Sequence, residues 1–188
     1  MTIKTLSITL QYDHTIGRAE FSGPGFRNPV AMARGEDDTM YVVSRSYEYR
    51  PDGKRITICT VDEEYLGEFG TGGMESGQFW WPSSLAFDSQ DRLYVADEAL
   101  QRISVFSKEG EFLGQWGGAG SMDGQLNRPS YIVFDGEDNL LVSDSLNHRV
   151  QRFTKDGRFL MKWGTYGNGD GHFDMPWGIA VDDDGYVY

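Results

Sequence analysis

Short apolar runs, each followed by turn-forming residues, alternate along most of the chain. Runs such as LYVAD, RISVFS and EFLGQWG are five to seven residues long, and the segments between them, such as DSQD, DGED and KEG, are rich in Asp, Gly and Lys. Runs of this length bounded by such turns are typical of β-strands, and they are too short for long helices. The pattern therefore predicts an all-β protein.

The group of strands repeats with a period of 47 residues. This offset relates Pro82, Pro129 and Pro176. The same offset relates further sets: Gly77, Gly124 and Gly171; Leu93, Leu140 and Val187; Asp97 and Asp144; Arg102 and Arg149; Gly110 and Gly157; Phe112 and Phe159; Trp116 and Trp163. Each unit holds four strand-like runs, and four strands in about 47 residues predict an antiparallel β-propeller blade.

An upstream unit fits the repeat with one insertion. Pro29 lies 53 residues before Pro82, whereas Arg55 lies 47 before Arg102, so six extra residues lie between its second and third strands, within 44–54. In every unit the first strand reads as continuously apolar. We therefore expect it to be innermost and buried on both faces, with more solvent on the outer strands.

One partial propeller domain should thus span residues 1–188. We expect blades at 29–70, 82–117 and 129–164, and the start of a fourth blade at 176–188. Segment 1–17 stands where an outer strand would lie, and in a closed ring it would pair with the last blade, since closure removes unpaired edges. Six blades of this period need roughly 300 residues. We expect a fragment cut at its C-terminal end, with about three and a half blades in an open arc.

Net charge and the single cysteine narrow the range of partners and of cellular locations. The formal net charge is −12, and an acidic surface repels phosphate backbones and anionic membranes, so nucleic acid is an unfavoured partner. No run approaches the roughly 20 apolar residues of a membrane span, and the N-terminus lacks a signal-peptide core. Cys59 stands alone, which excludes an internal disulfide. A cytoplasmic location is expected, and the oligomeric state is left open.

Two of the units resemble NHL repeats. The matching segments are GQFWWPSSLAFDSQDRLYVADEALQRISVF and GQLNRPSYIVFDGEDNLLVSDSLNHRVQRF, and Asn147, His148 and Arg149 stand where the family has its Asn-His-Leu triplet. The resemblance covers nearly the whole chain and implies a six-bladed β-propeller. It implies no single activity, because similar propellers include RNA- and protein-binding modules and the lyase domain of peptide-amidating enzymes. The first blade departs from the pattern at Ser44, where later blades have Asp.

The residues of this signature are candidates for chemistry or for architecture. They are Asp97, Arg102, Asp144, Asn147, His148 and Arg149. Their Asp and Arg occur in two blades, which a unique catalytic site would not require. An Asp that accepts backbone N–H groups and an Arg that ties a turn to its neighbour would explain the recurrence. We therefore expect the signature to be structural.

Motifs for catalysis or metal binding are absent from the sequence. The three histidines show no metal-ligand spacing, the acidic turns lack the EF-hand pattern, and there is no nucleophile elbow or phosphate-binding loop. The sequence therefore predicts no catalytic residue, metal or cofactor. A metal ion in the central channel, held partly by blades outside this sequence, is left open.

The loops on one side of the disc form the candidate binding face. In a propeller, the second-to-third-strand loops and the blade-to-blade loops emerge on the same side, and long loops on a rigid scaffold commonly carry binding sites. Aromatic residues and Arg are favoured at interfaces. The candidates are Tyr47, Tyr49, Arg50, Trp80, Trp81, Arg128, Met175 and Trp177.

Three functions remain open at this point. The leading hypothesis is a binding scaffold that presents this loop face to a protein, a peptide or a small-molecule ligand. The alternative is a metal-dependent lyase or hydrolase with its site at the central channel. An RNA-binding module is the third hypothesis. Acidic charge disfavours it, although Arg27, Arg45, Arg50 and Arg128 could form a local basic face.

Overall fold

A computed structural model describes residues 11–17, 25–36, 38–47 and 49–188. The strands of this part of the chain lie in three four-stranded antiparallel sheets. The first sheet contains β1 (Pro29–Arg34), β2 (Thr39–Ser44), β3 (Arg55–Thr60) and β4 (Tyr65–Phe69); the second contains β5 (Pro82–Phe87), β6 (Leu93–Asp97), β7 (Arg102–Phe106) and β8 (Phe112–Trp116); the third contains β9 (Pro129–Phe134), β10 (Leu140–Asp144), β11 (Arg149–Phe153) and β12 (Phe159–Trp163).

The three sheets are blades of an open arc, and we number them blades 1 to 3. Strand order in each sheet follows the chain, so every blade is an antiparallel meander. The first strands of successive blades are neighbours, with β1 beside β5 and β5 beside β9. The first strands therefore surround the central channel, and the fourth strands form the outer edges. This architecture confirms the predicted all-β propeller class, with about three blades present.

The core lies between successive blades rather than within any one of them. Ile56 of blade 1 and Leu93 of blade 2 belong to one cluster, and Ile103 of blade 2 and Leu140 of blade 3 belong to the next. The first two blade-to-blade loops each add one buried apolar side chain at the same repeat position, Phe79 and Leu126, and the third adds the half-buried Phe173. Because burial of apolar area stabilises by about 25 cal/mol per Å², these contacts hold the blades in fixed relative positions.

The second strand of each blade is the most buried, and not the first as the sequence suggested. Every residue of β6 and of β10 is buried, whereas β1 exposes Val30 and Met32. The reason is the position of each strand within the blade. A second strand has ladder partners on both edges and a blade on each side, while a first strand borders the channel along one edge. In β1, moreover, one face has no neighbouring blade among the described residues.

The expected closing strand at the N-terminus has no counterpart in the described part of the chain. Residues 1–10 lie outside the described residues, and 11–17 contain no strand. A contact does anchor this segment, because Nε2 of His14 lies 2.7 Å from the carbonyl oxygen of Val61. Segment 11–17 therefore touches the β3–β4 turn without joining a ladder.

The start of a fourth blade at 176–188 stays a prediction. Segment 176–188 folds as a hairpin with an isolated bridge between Val181 and Val187, and Ala180 and Tyr188 exchange backbone hydrogen bonds. This pairing has the register of the complete blades, because Val181 and Val187 correspond in the repeat to Phe134 and Leu140, which pair in blade 3.

The blade 1 insertion contains a helical turn. It forms a short 3-10 helix at Pro51–Gly53, and a second such turn, Ser145–Asn147, follows β10. Neither turn, nor any other helical element in the described ranges, approaches the length needed to cross a membrane.

Candidate functional site: the mouth of the central channel

A buried aspartate organises the loop that enters blade 2. The Asp97 carboxylate accepts hydrogen bonds from the backbone N–H groups of Trp80 and Trp81 at 2.7 to 3.0 Å. It also accepts the N–H groups of Ala99 and Leu100 in the turn after its own strand, at 3.0 Å. Four charge-assisted bonds to one buried carboxylate fix both turns to the end of β6.

The equivalent aspartate in blade 3 has a different set of partners. Asp144 accepts the backbone N–H of Asn127 at 2.6 Å, as Asp97 does from Trp80. Its other bonds come from side chains: Asn147 Nδ2 at 2.8 Å, Arg149 Nε at 2.8 Å and Gln151 Nε2 at 3.0 Å. The blades thus share one bond and differ in the rest.

The signature arginines hold the blade-to-blade loops through carbonyl oxygens. Arg102 and Arg149 each donate to three carbonyls, and the two sets occupy the same repeat positions. The acceptors are Met74, Glu75 and Gln78 for Arg102, and Ser121, Met122 and Gln125 for Arg149. The two arginines therefore hold their loops through equivalent hydrogen bonds.

Among the described residues, blade 1 has fewer hydrogen bonds of these two kinds. Ser44 stands at the Asp position, and its Oγ accepts the backbone N–H of Arg27 at 3.2 Å. Arg55 stands at the Arg position and donates to the carbonyl of Gly25 at 3.2 Å, matching one of the three bonds in the later blades. We call this set of Asp, Ser and Arg contacts the loop frame.

His148 belongs to the turn at the rim of blade 3. Its backbone is left-handed at φ 52°, and the backbone N–H of Met175 donates to its Nδ1 at 3.1 Å. Its ring packs edge-on against Tyr166, with centroids 4.8 Å apart, and Asp174 Oδ1 lies 3.7 Å from Nδ1. The histidine therefore ties blade 3 to the loop that follows it.

Two positions of the repeat lie at the channel mouth on the loop side. The first position precedes the proline of each first strand, and the second follows the end of each second strand. In all three blades the backbone N–H of the second donates to the carbonyl of the first, at 2.9 to 3.4 Å. The pairs are Arg45 with Asn28, Glu98 with Trp81, and Ser145 with Arg128; Met175 repeats the first position.

The side chains at these mouth positions differ from blade to blade although their backbone bond recurs. Trp81, Arg128 and Met175 share no chemistry, and neither do Arg45 and Glu98. Binding specificity can vary at such places without disturbing the scaffold, because the loop frame fixes the backbone independently of them.

An ion-pair cluster spans the mouth across three blades. Glu98 is 1% exposed, and its Oε1 accepts Arg45 Nη2 at 2.8 Å. Its Oε2 accepts Arg128 Nη2 at 2.8 Å and Nε at 3.2 Å. Arg45 follows β2 of blade 1, and its Cζ lies 5.8 Å from the centroid of the Trp81 ring. We call Arg45, Glu98 and Arg128 the mouth cluster.

Five of the candidate side chains are substantially exposed. Trp81 is 42% exposed, Met175 is 51% exposed and Trp177 is 59% exposed. In the insertion, Tyr47 and Tyr49 stack with centroids 5.7 Å apart and an interplanar angle of 6°. These side chains offer apolar and aromatic surface.

The other candidates are more engaged with the scaffold. Trp80 is half-buried, and the Lys54 ammonium lies 4.1 Å from its ring centroid. Arg50 binds the carboxylate of Asp52 at 3.1 to 3.2 Å. Arg128 lies in the mouth cluster. The structure thus brings Arg128 and Trp81 together through Glu98 and Arg45, and leaves Trp80 packed below the surface.

Glu98 was missed by sequence reasoning, and Arg45 entered only as part of a basic face. A signal for both was present. They occupy one repeat position, with Ser145 in the next blade, and that position carries three different residue types directly after a recurring strand. Opposite charges at equivalent positions of adjacent blades are the pattern that identifies an inter-blade ion pair.

Other features lie away from the mouth. Among the described residues, no three His, Cys, Asp or Glu side chains converge in a way that could hold a metal ion. A groove of about 820 Å³ runs between blade 3 and the 176–188 hairpin, where Trp163 and Leu141 meet the acidic turn at Asp182. That groove is lined by the open face of blade 3 and by the turns at 135–137 and 182–185.

No protein-family model and no curated protein matches this sequence. Solved structures do resemble it in fold. Hydrazine synthase from Kuenenia stuttgartiensis superimposes with a TM-score of 0.62 at 14% identity, over 89% of this chain and 43% of that one.

Two enzymes superimpose similarly. A catalytically inactive virginiamycin B lyase from Staphylococcus aureus, solved with quinupristin, has a TM-score of 0.60 at 14% identity, over 90% of this chain and 50% of that one. A gluconolactonase from Xanthomonas campestris has a TM-score of 0.60 at 16% identity, over 88% and 54%. The chain spans about half the length of these structures. At such identities, the likeness supports the β-propeller fold and carries no activity with it.

Proposed function

We propose that this chain is part of a binding scaffold whose channel mouth, on the loop side, receives a protein, a peptide or a small-molecule ligand. We propose further that the ring is a six-bladed NHL-type propeller, on the strength of the repeat signature and the 47-residue period. The single observation that carries the binding role is the contrast at the mouth: the backbone recurs, while Trp81, Arg128 and Met175 differ.

The chemistry of the exposed side chains supports this role. Trp, Tyr and Arg dominate the energetics of protein interfaces, since each combines large apolar area with a polar group. Trp81, Trp177, Tyr47 and Tyr49 remain accessible beside a rigid, well-packed scaffold. A pre-formed face of this kind loses little conformational entropy when a ligand binds.

A peptide display library tests the proposal. A random heptapeptide library would be panned against the full chain, and affinities of selected peptides measured by fluorescence anisotropy. We expect Trp81→Ala and Trp177→Ala each to weaken binding by tenfold or more. Leu113→Ala is the control, because Leu113 is 49% exposed on the outer strand β8.

Two results would contradict a mouth-binding scaffold. One is selection of peptides that lose affinity in Leu113→Ala and keep it in both tryptophan variants. The other is the absence of any enriched peptide under conditions in which circular dichroism shows the chain to be folded.

An enzyme acting at the same mouth is the second candidate, and one observation favours it. His148 Nδ1 accepts the backbone N–H of Met175, so the neutral ring carries its proton on Nε2, where it can donate. The solved structures of similar fold also include a lyase and a gluconolactonase by name. A lyase or hydrolase, metal-dependent or not, therefore stands as the alternative to the scaffold.

Turnover assays separate the two functions. We would follow hydrolysis of p-nitrophenyl acetate and of glucono-δ-lactone, with and without added Ca²⁺ or Zn²⁺, in the wild type and in His148→Gln. Saturable turnover that falls at least tenfold in His148→Gln would support the enzyme. Equal background rates in the two proteins would count against an enzyme that uses this histidine.

A further inference from the structure

The mouth cluster has unused hydrogen-bonding capacity. Arg45 uses Nε on the carbonyl of Pro82 and Nη2 on Glu98, and Arg128 uses Nε and Nη2 on Glu98. Nη1 of either arginine donates to no residue in the described ranges. The arginine side chains are 25% and 43% exposed, while Glu98 is buried beneath them.

The charges at the mouth do not cancel. Two guanidinium groups share one carboxylate, so the mouth cluster carries a net charge of +1. The neighbouring Asp97 carboxylate is directed at four backbone N–H groups and not at the arginines of the mouth cluster. A positive spot therefore lies at the channel of a chain whose net charge is −12.

The backbone of Arg128 is held in an unfavourable conformation. Its φ is 55°, the left-handed region, and the next residue is Pro129, which disfavours helical conformations at the preceding position. Asn28 and Met175 occupy the same repeat position with φ 50° each, and only Trp81 lacks a positive φ there. The left-handed conformation therefore belongs to the repeat, and it fixes the direction in which the Arg128 side chain leaves the backbone.

Trp81 supplies an apolar wall next to this charge. Its ring is 42% exposed and lies beside the Arg45 guanidinium, and its carbonyl accepts the backbone N–H of Glu98. A guanidinium that is already fixed by a buried carboxylate needs little reorganisation to bind a second anion.

We propose that the mouth cluster is a receptor for a carboxylate that carries an adjacent aromatic or apolar group. Arg128 and Arg45 donate to the ligand carboxylate from their Nη1 atoms, Trp81 packs against the apolar group, and Glu98 orients both arginines from below. The carboxylate belongs either to a free organic acid or to a peptide C-terminus. The inference rests on the proposed binding role and specifies its ligand class.

Matched acids and amides test the inference. The probes are phenylacetate against phenylacetamide, for a free acid, and N-acetyl-Gly-Phe against its C-terminal amide, for a peptide terminus. Each would be titrated into the ¹⁵N-labelled full chain while the Trp indole and Arg Nε–H resonances are recorded. We expect at least one acid to shift the Trp81 and Arg128 signals saturably, with its amide binding at least tenfold more weakly.

Substitutions test which residues cause the preference for the acid over the amide. Arg128→Gln should abolish the preference for the acid, and Arg158→Gln, at an exposed position in the β11–β12 turn, should leave it unchanged. Glu98→Gln separates positioning from simple charge, because removing a negative charge alone would strengthen binding. We expect Glu98→Gln instead to weaken binding of the acid, because both arginines lose the carboxylate that orients them.

The outcomes distinguish this inference from the proposed function. Equal binding of acid and amide at the mouth would overturn the carboxylate receptor and leave the binding scaffold standing. Failure of all four probes would overturn the receptor, while the display experiment decides the scaffold independently. A preference for the acid that survives Arg128→Gln would also overturn it.

Discussion

The loop frame and the channel mouth lie next to each other in the structure, but residue types recur between blades in the frame and differ between blades at the mouth. Arg102 and Arg149 hold three carbonyls each at identical repeat positions, whereas the mouth residues one turn away share no chemistry. The difference teaches that recurring and variable positions can lie next to each other in a repeat protein. The frame makes the scaffold reproducible, and the mouth is free to differ because its backbone is set by the frame.

The strongest test of this contrast is the Asp144→Asn variant. Asp144 is completely buried, and the substitution leaves the buried Arg149 with only the half-exposed Asp123, at 3.9 Å, as a counter-charge. We expect a loss of about 3 kcal/mol in the free energy of unfolding, measured by urea denaturation, because an uncompensated buried charge is strongly destabilising. In Asp156→Asn, at an exposed turn of the same blade, we expect no change beyond about 0.5 kcal/mol. Equal losses in the two variants would break the distinction between frame and surface.

A smaller loss is expected where the frame is reduced. Ser44→Ala removes the acceptor of the Arg27 N–H in a buried setting. The cost should be about 1 kcal/mol, since one neutral hydrogen bond is lost. Ser76→Ala, at an exposed loop position, is the control in the same urea measurement. A loss as large as that of Asp144→Asn would mean that the serine does more than replace one of the aspartate's bonds.

The opposite side of the arc allows a pH-dependent test. Burial opposes ionisation of Asp138, but hydrogen bonds from Lys155 and from the side chain and backbone of Ser89 outweigh it and hold the pKa of Asp138 below its ordinary value. A lowered folded-state pKa stabilises above the unfolded value of about 3.9, and that contribution is lost as pH falls through the folded-state pKa. We expect Asp138→Asn to destabilise by less than about 1 kcal/mol at pH 7.

The expected difference between wild type and Asp138→Asn shrinks as the solution is acidified below pH 4. Urea titrations at pH 7, 5 and 3 measure it. A difference that stays constant over this range would show that the carboxylate charge of Asp138 does not stabilise the fold.

The smallest effect on stability is expected at Trp177, two residues after the mouth position of Met175. Trp177→Ala removes a large side chain, but 59% of that residue is exposed. The free energy of unfolding should change by no more than about 0.5 kcal/mol. A loss above 1 kcal/mol in urea denaturation would place Trp177 with the scaffold rather than with the binding surface.

Most of the blade architecture could be predicted from the sequence because it is repetitive. Matched residues such as Asp97 and Asp144 at one offset fix the register of the strands, and the turn residues mark their ends. The relative burial of the strands could not be predicted in this way. Apolar content does not distinguish a first strand beside the channel from a second strand enclosed by neighbours, so β1 and β6 read alike.

The mouth was predicted less completely, for a physical reason. Exposed aromatic residues such as Trp177 attract attention because their type is unusual at a surface. The mouth cluster depends on contacts between three blades, and a single unit gives no sign that Glu98 meets Arg45 and Arg128. Only a comparison of equivalent positions across blades indicates it.

Hydrogen–deuterium exchange tests the central claim that the residues which differ at the mouth form the binding surface. The full chain would be compared with and without the tightest display-selected peptide. We predict slower exchange in the segments around Trp81, Arg128 and Met175, with the outer strands β4, β8 and β12 unchanged. Slower exchange along the outer strands, with the three mouth segments unaffected, would contradict the account.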